Sequence, residues 1–528
     1  MKTKPLLLTV AALVLVAGAA VAYVRFMAPA EDEAIGLVPK SSILYGNVFI
    51  RPSNDQKMAL DDLLQKFPGV ENTDDALNKL IELLDEQLGK EGLSYEEDIE
   101  PWLGDQIGGF IMPGGPPELP NFGILIESKD DDALRDFIDR VQQEEDPEAE
   151  IVEREYKGTT YEVVDDPEEP AAFVFLDGFL VGGTEEAIKA SIDARDGESL
   201  QDSEKFLDAT DSLRDEWLGL FYADSNALLS LIEQDPQMTP EDRAIFDNLD
   251  FGDLPPWAGV AYVTSDSIGF ENSGGSPTEG PFAGFSSFTG PGLLLTLPGE
   301  SWAAFGVPDV GGLVTESLEL FADFPGFNRD QIESAFTSQT GLDLEEDVLS
   351  WMGDAGLFVQ GTNLQELGGG LVVESSDADK TSALLDTAER MLTQQGIQPR
   401  PTSEGDLEGF SMQAPGMPAP VYFLGGERLV ITYGQSATQQ AVTPEQPLAE
   451  AESFVRASDE LGSDFDAGFF VDVDAAQAFA EAMMSFSGQI DPTYEEEVRP
   501  YLEPFGYIVA GSRTDDDEVV RRFVIGVP

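Results

Sequence analysis

Runs that alternate apolar and polar residues give way repeatedly to runs with helical spacing, and turn residues separate the two. Residues 43–50 read as an apolar strand, and helical spacing follows over 55–67 and 74–88. Leu63, Leu64, Phe67, Leu77, Leu80, Ile81 and Leu84 form the stripe of helices lying on their own sheet. A cavity for a hydrophobe between such helices and the sheet is the competing reading. The pattern next predicts strands at 106–112 and 122–127 and a helix over 133–141. Asp130, Asp131 and Asp132 fall at that helix's N-terminus, where the backbone dipole favours negative charge. Hairpins are predicted for 150–156 with 159–164, about Lys157-Gly158, and for 173–176 with 179–181, about Asp177-Gly178. Helices at 185–194 and 203–213, a strand at 218–223, a helix from Asn226, and strands at 257–264 and 268–271 complete the series. Hairpin-linked strands outnumber strand–helix–strand units, which predicts an α+β fold with mainly antiparallel sheets.

The same series occurs twice. Glu96-Glu97-Asp98-Ile99-Glu100-Pro101-Trp102-Leu103-Gly104-Asp105 has a counterpart in Glu345-Glu346-Asp347-Val348-Leu349-Ser350-Trp351-Met352-Gly353-Asp354, an offset of 249 residues. Ile126-Glu127-Ser128 matches Val373-Glu374-Ser375 at 247, and Phe221-Tyr222-Ala223-Asp224 matches Phe469-Phe470-Val471-Asp472 at 248. Phe67-Pro68-Gly69 finds Phe324-Pro325-Gly326 at 257. Matches in the same order across both halves mark a tandem repeat. The chain therefore divides into a leader at 1–30, a first α+β module at 35–272, a Gly/Ser/Pro-rich connector at 273–292 and a second module at 293–528. Phe282, Phe285 and Phe288 are unusual for a free linker, and imply that part of the connector packs on a lobe.

The leader carries Lys2 and Lys4 before an apolar run from Leu6 to Val24, 19 residues interrupted by Thr9 and Gly18. That length falls within the ~17–25 residues of a membrane-spanning helix, and the lysines favour a cytoplasmic N-terminus. Ala20-Val21-Ala22 satisfies the small-residue cleavage rule of a signal peptide, the alternative reading. Both place the remainder outside the cytoplasmic membrane, either as a single-pass anchored body or as a secreted one.

Composition narrows the chemistry. The chain has 528 residues with 101 Asp+Glu, 29 Lys+Arg and a formal charge of −72. Such a field repels phosphates, so nucleic acid is excluded as a partner. Lys380 is the only lysine after Lys205, and an acid-rich, lysine-poor chain points to work in brine, where the Debye length is ~3 Å at molar salt. Binding of divalent cations at the envelope is the other account of the acidity. The chain holds no His and no Cys. This removes imidazole and thiolate catalysis, zinc and iron–sulfur sites and disulfides; a metal site would need oxygen ligands.

No motif assembles a catalytic, cofactor or metal site. The acidic runs lack the spacing of a calcium loop, and glycine-rich stretches such as Gly368-Gly369-Gly370 lack a Walker lysine or a dinucleotide fingerprint. Paired carboxylates could hydrolyse a glycosidic bond, but sequence cannot choose a pair among 101. The most distinctive local feature is the repeated Trp102, Gly104, Asp105 and Trp351, Gly353, Asp354. Its occurrence in both modules fits a fold requirement, with the Trp as core anchor, the Gly ending a helix and the Asp capping a turn. A Trp ligand platform with an Asp base is the functional alternative.

Together the export segment, Val38-Pro39-Lys40-Ser41 opening the first strand, Phe67-Pro68-Gly69, the Trp102–Asp105 turn and the strand–Glu127-Ser128–acidic helix step resemble the bacterial envelope proteins of domain-of-unknown-function family 3352. The resemblance implies location and architecture and supplies no catalytic residues. The expectation is a non-enzymatic, membrane-anchored envelope protein that binds a partner or ligand: an envelope protein, a divalent cation or a hydrophobe. A lipid carrier and a His-free carboxylate hydrolase are the alternatives.

Overall fold

The computed structural model describes residues 32–50, 53–70, 92–114, 120–145, 151–164, 171–233, 254–275, 290–322, 327–413, 417–487, 493–515 and 518–528, with isolated positions between 81 and 89 and at 238, 239 and 243. The leader, most of the helix expected at 74–88, Phe324-Pro325-Gly326 and the three connector phenylalanines lie outside the described residues. Among the described residues no helix is long and apolar enough to cross a membrane. The chain forms two compact units, one of residues 1–239 and 254–275, the other of 240–253 and 276–528.

The first unit runs β1 (Leu44–Phe49), α1 (Asn54–Leu64), β2 (Leu103–Met112), β3 (Asn121–Ser128), α2 (Asp131–Glu145), β4 (Ile151–Tyr156), β5 (Thr159–Val164), β6 (Ala171–Leu176), β7 (Phe179–Gly183), α3 (Glu185–Asp196), α4 (Glu204–Thr210), β8 (Gly219–Ala223), α5 (Ser225–Glu233), β9 (Trp257–Val263) and β10 (Ser267–Gly275). Its ten strands pair antiparallel in the order β10-β9-β8-β1-β2-β3-β7-β6-β5-β4. The β4–β5 and β6–β7 turns each place two residues at positive φ, Lys157 (49°) with Gly158 (86°) and Asp177 (47°) with Gly178 (85°). That backbone matches the twist of the flanking strands, which is why these dipeptides reverse the chain. β10 continues to Gly275, into the stretch expected as connector.

One face of this sheet packs Tyr45, Phe110, Leu125 and Tyr222 beneath α3, α4 and a 3-10 turn at Ala34–Leu37. The opposite face, at the β2–β3–β7–β6 end, packs Ile107, Ile126, Phe173 and Leu180 against Leu134, Phe137 and Ile138 of α2 and against Trp102. Asp130 accepts from Ala133 N at 3.0 Å, so the acidic start of α2 also caps it.

The second unit runs β11 (Ser301–Val307), α6 (Val310–Leu320), α7 (Arg329–Thr340), α8 (Leu344–Asp347), β12 (Met352–Gln360), β13 (Gly368–Ser375), α9 (Ala378–Gln394), β14 (Arg400–Glu404), β15 (Leu407–Met412), β16 (Val421–Gly425), β17 (Arg428–Tyr433), α10 (Gln435–Val442), α11 (Glu452–Leu461), β18 (Asp466–Asp472), α12 (Val473–Ser487), α13 (Arg499–Leu502), β19 (Tyr507–Asp515) and β20 (Glu518–Gly526). The order is β20-β19-β18-β11-β12-β13-β17-β16-β15-β14, strand for strand that of the first unit. Even the entry segments agree. Pro39 bridges Ser199 and Pro298 bridges Pro447. Leu200 N donates to Val38 O at 2.8 Å, and Leu448 N to Leu297 O at 2.7 Å.

Candidate functional site

The repeated tryptophans are buried side chains of the core. Trp102 Nε1 donates to Asp98 O at 2.6 Å, and Trp351 Nε1 donates to Asp347 O at 2.8 Å. Each of those aspartates closes the turn it sits in. Asp98 accepts from Ser94 N at 2.6 Å while Ser94 Oγ accepts from Glu97 N at 3.3 Å; Asp347 accepts from Asp343 N at 2.8 Å while Asp343 accepts from Glu346 N at 2.8 Å. This reciprocal cap orients the tryptophan by satisfying donors that would otherwise be orphaned. Asp98 and Asp347 stand within the repeated stretch, yet nothing in spacing alone separates them from neighbouring acidic residues.

The glycines of the motif end no helix. Gly104 lies in β2, and a Cβ there would meet Glu127 Cβ, Cγ and O at 2.7 Å, so its bareness admits the Glu127 chain. Gly353 is less constrained, since a Cβ would meet Glu374 at an ordinary 3.6 Å. Asp105 N donates to Glu127 Oε2 at 2.8 Å beside the irregularity between Leu103 and Ile107. Burial pushes the Glu127 carboxyl above its usual range, against the Asp105 amide bond that pulls it down. Asp354 accepts from Asp309 N at 3.0 Å, next to the start of α6. These carboxylates hold backbone rather than face a cleft.

A second polar group lies under the entry segment of the first unit. Tyr45 donates its hydroxyl to the partly buried Asp32 at 2.8 Å, Ile35 N donates to the same carboxylate at 3.1 Å, and Asn47 Nδ2 donates to Gln106 Oε1 at 3.3 Å. Desolvation pushes Asp32 up to about 6 despite those bonds. Among the described residues no group of three or more carboxylates is gathered for a metal ion.

The third feature is a trough of about 570 Å³ on the sheet of the first unit, and no sequence signal announced it. Strand register defines it. One row across the sheet reads Ile124–Gly109–Gly46–Phe221–Gly259–Asn272, and the next reads Ile126–Ile107–Val48–Gly219–Ala261–Phe270. Residues paired across strands and two apart along them share one face, so these rows make a floor of Gly46, Gly109, Gly219, Gly259 and Ala261. Val48 (44% exposed) and Phe221 (42%) rise within these rows, Trp257 (37%) and Phe270 (47%) flank them, and Phe221 lies edge-on to Trp257 at 5.3 Å. Glu271, the one ionisable residue along the lining, is buried and alternates away from Phe270 and Asn272.

The floor glycines are not demanded by packing. A Cβ would meet its nearest neighbour at 3.7 Å at Gly46, 3.5 Å at Gly109, 3.5 Å at Gly219 and 3.4 Å at Gly259, all ordinary contacts, and none of the four has positive φ. A Cβ would fit the backbone at each of the four; its absence deepens the trough.

Two α+β units of one strand order, with an uncharged trough in the first and no assembled catalytic group among the described residues, define a duplicated α+β protein with a candidate binding face. The model of the family described as "Protein of unknown function (DUF3352)" matches residues 7–249 and 311–504, and the chain belongs to that family. No curated protein matches it. Among solved structures, crystal form III of TP0453 is similar at 8% identity over 47% of this chain and 80% of that chain, with a TM-score of 0.23. Crystal form I of TP0453 is similar at 10% identity over the same shares, also at 0.23. At that score the likeness carries no argument about this chain.

Proposed function

We propose that this chain is a non-enzymatic binding protein of the cell envelope, held outside the cytoplasmic membrane by its apolar leader, whose first unit carries a hydrophobic ligand in the trough. The observation that supports this reading is the glycine floor, uncharged and left bare where a Cβ would fit, in a chain of formal charge −72. An apolar concavity of that size lies within the ~300–1,000 Å³ of small-molecule sites. A carboxylate hydrolase finds less support, because Asp32 is engaged by Tyr45 and Glu127 by the Asp105 amide, and neither lines the trough. The test is native mass spectrometry of the full chain taken from its own membranes, beside a Gly46→Leu variant that fills the floor. A hydrophobe retained by the wild type and lost from the variant is expected. A wild-type mass equal to that of the bare polypeptide would sink the carrier reading.

A further inference from the structure

We infer, resting on the trough as a binding site, that its ligand is the unbranched aliphatic chain of an amphiphile with a neutral or cationic head, laid across the strands. Three observations select this occupant over a peptide or a compact hydrophobe.

The first is hydrogen bonding. β2 is paired on both edges, by β1 and β3; β1 lies between β2 and β8, β8 between β1 and β9, and β9 between β8 and β10. The floor strands therefore spend their backbone donors and acceptors on one another, and the floor residues Gly46, Gly109, Gly219, Gly259 and Ala261 add no polar side chain. A peptide pressed into the trough would bury amide groups against carbon, with only Asn272 and the Trp257 indole at one end of the lining to meet them, a loss that polymethylene avoids. The second is shape. The small residues run from Gly109 on β2 to Gly46 on β1, step one row past Phe221 to Gly219 on β8 and end at Ala261 on β9, across four neighbouring strands, and strands ~4.8 Å apart make that crossing about 14 Å. An extended hydrocarbon of about 12 carbons covers the same length, since each zigzag C–C bond of roughly 1.5 Å advances the chain by about 1.25 Å. A compact hydrophobe would occupy only part of it. The third is charge. The 101 acidic residues against 29 basic ones oppose an anionic head at the rim and accept a neutral or positive one.

The experiment is photo-crosslinking of the full chain in lipid nanodiscs at low salt, with sites mapped by mass spectrometry. The probes are a diazirine-bearing linear dodecanol, its trimethylammonium and phosphate analogues, adamantyl diazirine and an apolar diazirine hexapeptide. The linear alcohol and the ammonium analogue are expected to label Val48, Phe221, Trp257 or Phe270 at least about 10-fold more strongly in the wild type than in Gly46→Leu. Gly109→Leu, on a different strand, serves as a second block, and both variants must keep the wild-type circular dichroism. Labelling of the trough by the adamantyl probe or the peptide as strongly as by the linear alcohol overturns the aliphatic assignment and leaves the site standing. Equal labelling by the phosphate analogue overturns the choice of head group. If no probe labels those residues above the two variants, the trough is not a binding site and both readings fall.

Discussion

The row of side chains across the middle strands differs most between the two units, on one and the same framework. In the first unit it reads Ile124–Gly109–Gly46–Phe221–Gly259–Asn272; register places Leu371–Leu357–Phe305–Phe469–Ala510–Phe523 at the same positions of the second. Two floor glycines thus become Phe305 (45% exposed) and Leu357 (47%). The other face of the first strand differs likewise. Tyr45 faces Phe110 and Tyr222, whereas Ala304 faces Phe358 and Phe470. Asn47 pairs with Gly108 where Gly306 pairs with Gly356. Asp32 and Pro291 each stand seven residues before the bridging prolines Pro39 and Pro298. A polar cluster in the first unit becomes a close backbone approach in the second: a Cβ on Gly306 would fall 1.8 Å from Pro291 O. By contrast, Trp102 and Trp351 keep one hydrogen bond, each buried indole donating to the carbonyl four residues before it. What both units share answers to the fold, and what differs on a common framework is free to serve a ligand.

The shared element should give the largest response when broken. Trp102→Ala or Trp351→Ala removes a buried aromatic side chain and is expected to cost its own unit about 3–5 kcal/mol, measured by urea unfolding with probes in each unit. Loss confined to one of the two tryptophans would show that the motif is not equally structural in both. Next comes the divergent glycine. Gly306→Ala forces backbone apart and should cost the second unit about 1–3 kcal/mol in urea unfolding; an unchanged unfolding midpoint would show that the approach to Pro291 O does not require the glycine.

A smaller effect concerns Asp32. Its folded pKa of about 6 lies above the 3.8 of an ordinary aspartate, so the folded state holds the proton more tightly. Stability of the first unit is therefore greatest with Asp32 protonated and falls as pH rises from about 4 to about 6, levelling above that. Asp32→Asn should flatten this slope in urea titrations at stepped pH, and an unchanged slope would remove Asp32 as its source. The second unit has Pro291 there and should show no counterpart. The smallest change expected in stability is for Gly46→Ala, within about 0.5 kcal/mol since its Cβ meets ordinary contacts. A large loss of stability there would mean that packing, not an open trough, requires the glycine.

Much of this architecture was legible in the chain because it is local or periodic. The Lys157-Gly158 and Asp177-Gly178 turns, the strands they join and the helices at Glu185–Asp196 and Glu204–Thr210 follow from turn chemistry and spacing within a few residues. The motif glycine was less legible. Gly104 looks like a helix terminator beside Trp102, but the residue that needs its bareness, Glu127, is 23 positions away in sequence. The trough was not legible at all: Gly46, Gly109, Gly219 and Gly259 sit in unrelated local patterns, and none is part of a motif.

By itself, then, the sequence determined the order of elements, their repetition, the sign of the surface and the absence of imidazole and thiol chemistry, because each is a property of composition or of residues close in the chain. Only the tertiary structure decided which residues share a face. Pairing register brings β2, β1, β8 and β9 side by side from distant stretches, and a one-residue slip in any of them would turn its glycine away from the trough. The binding face is thus a consequence of register.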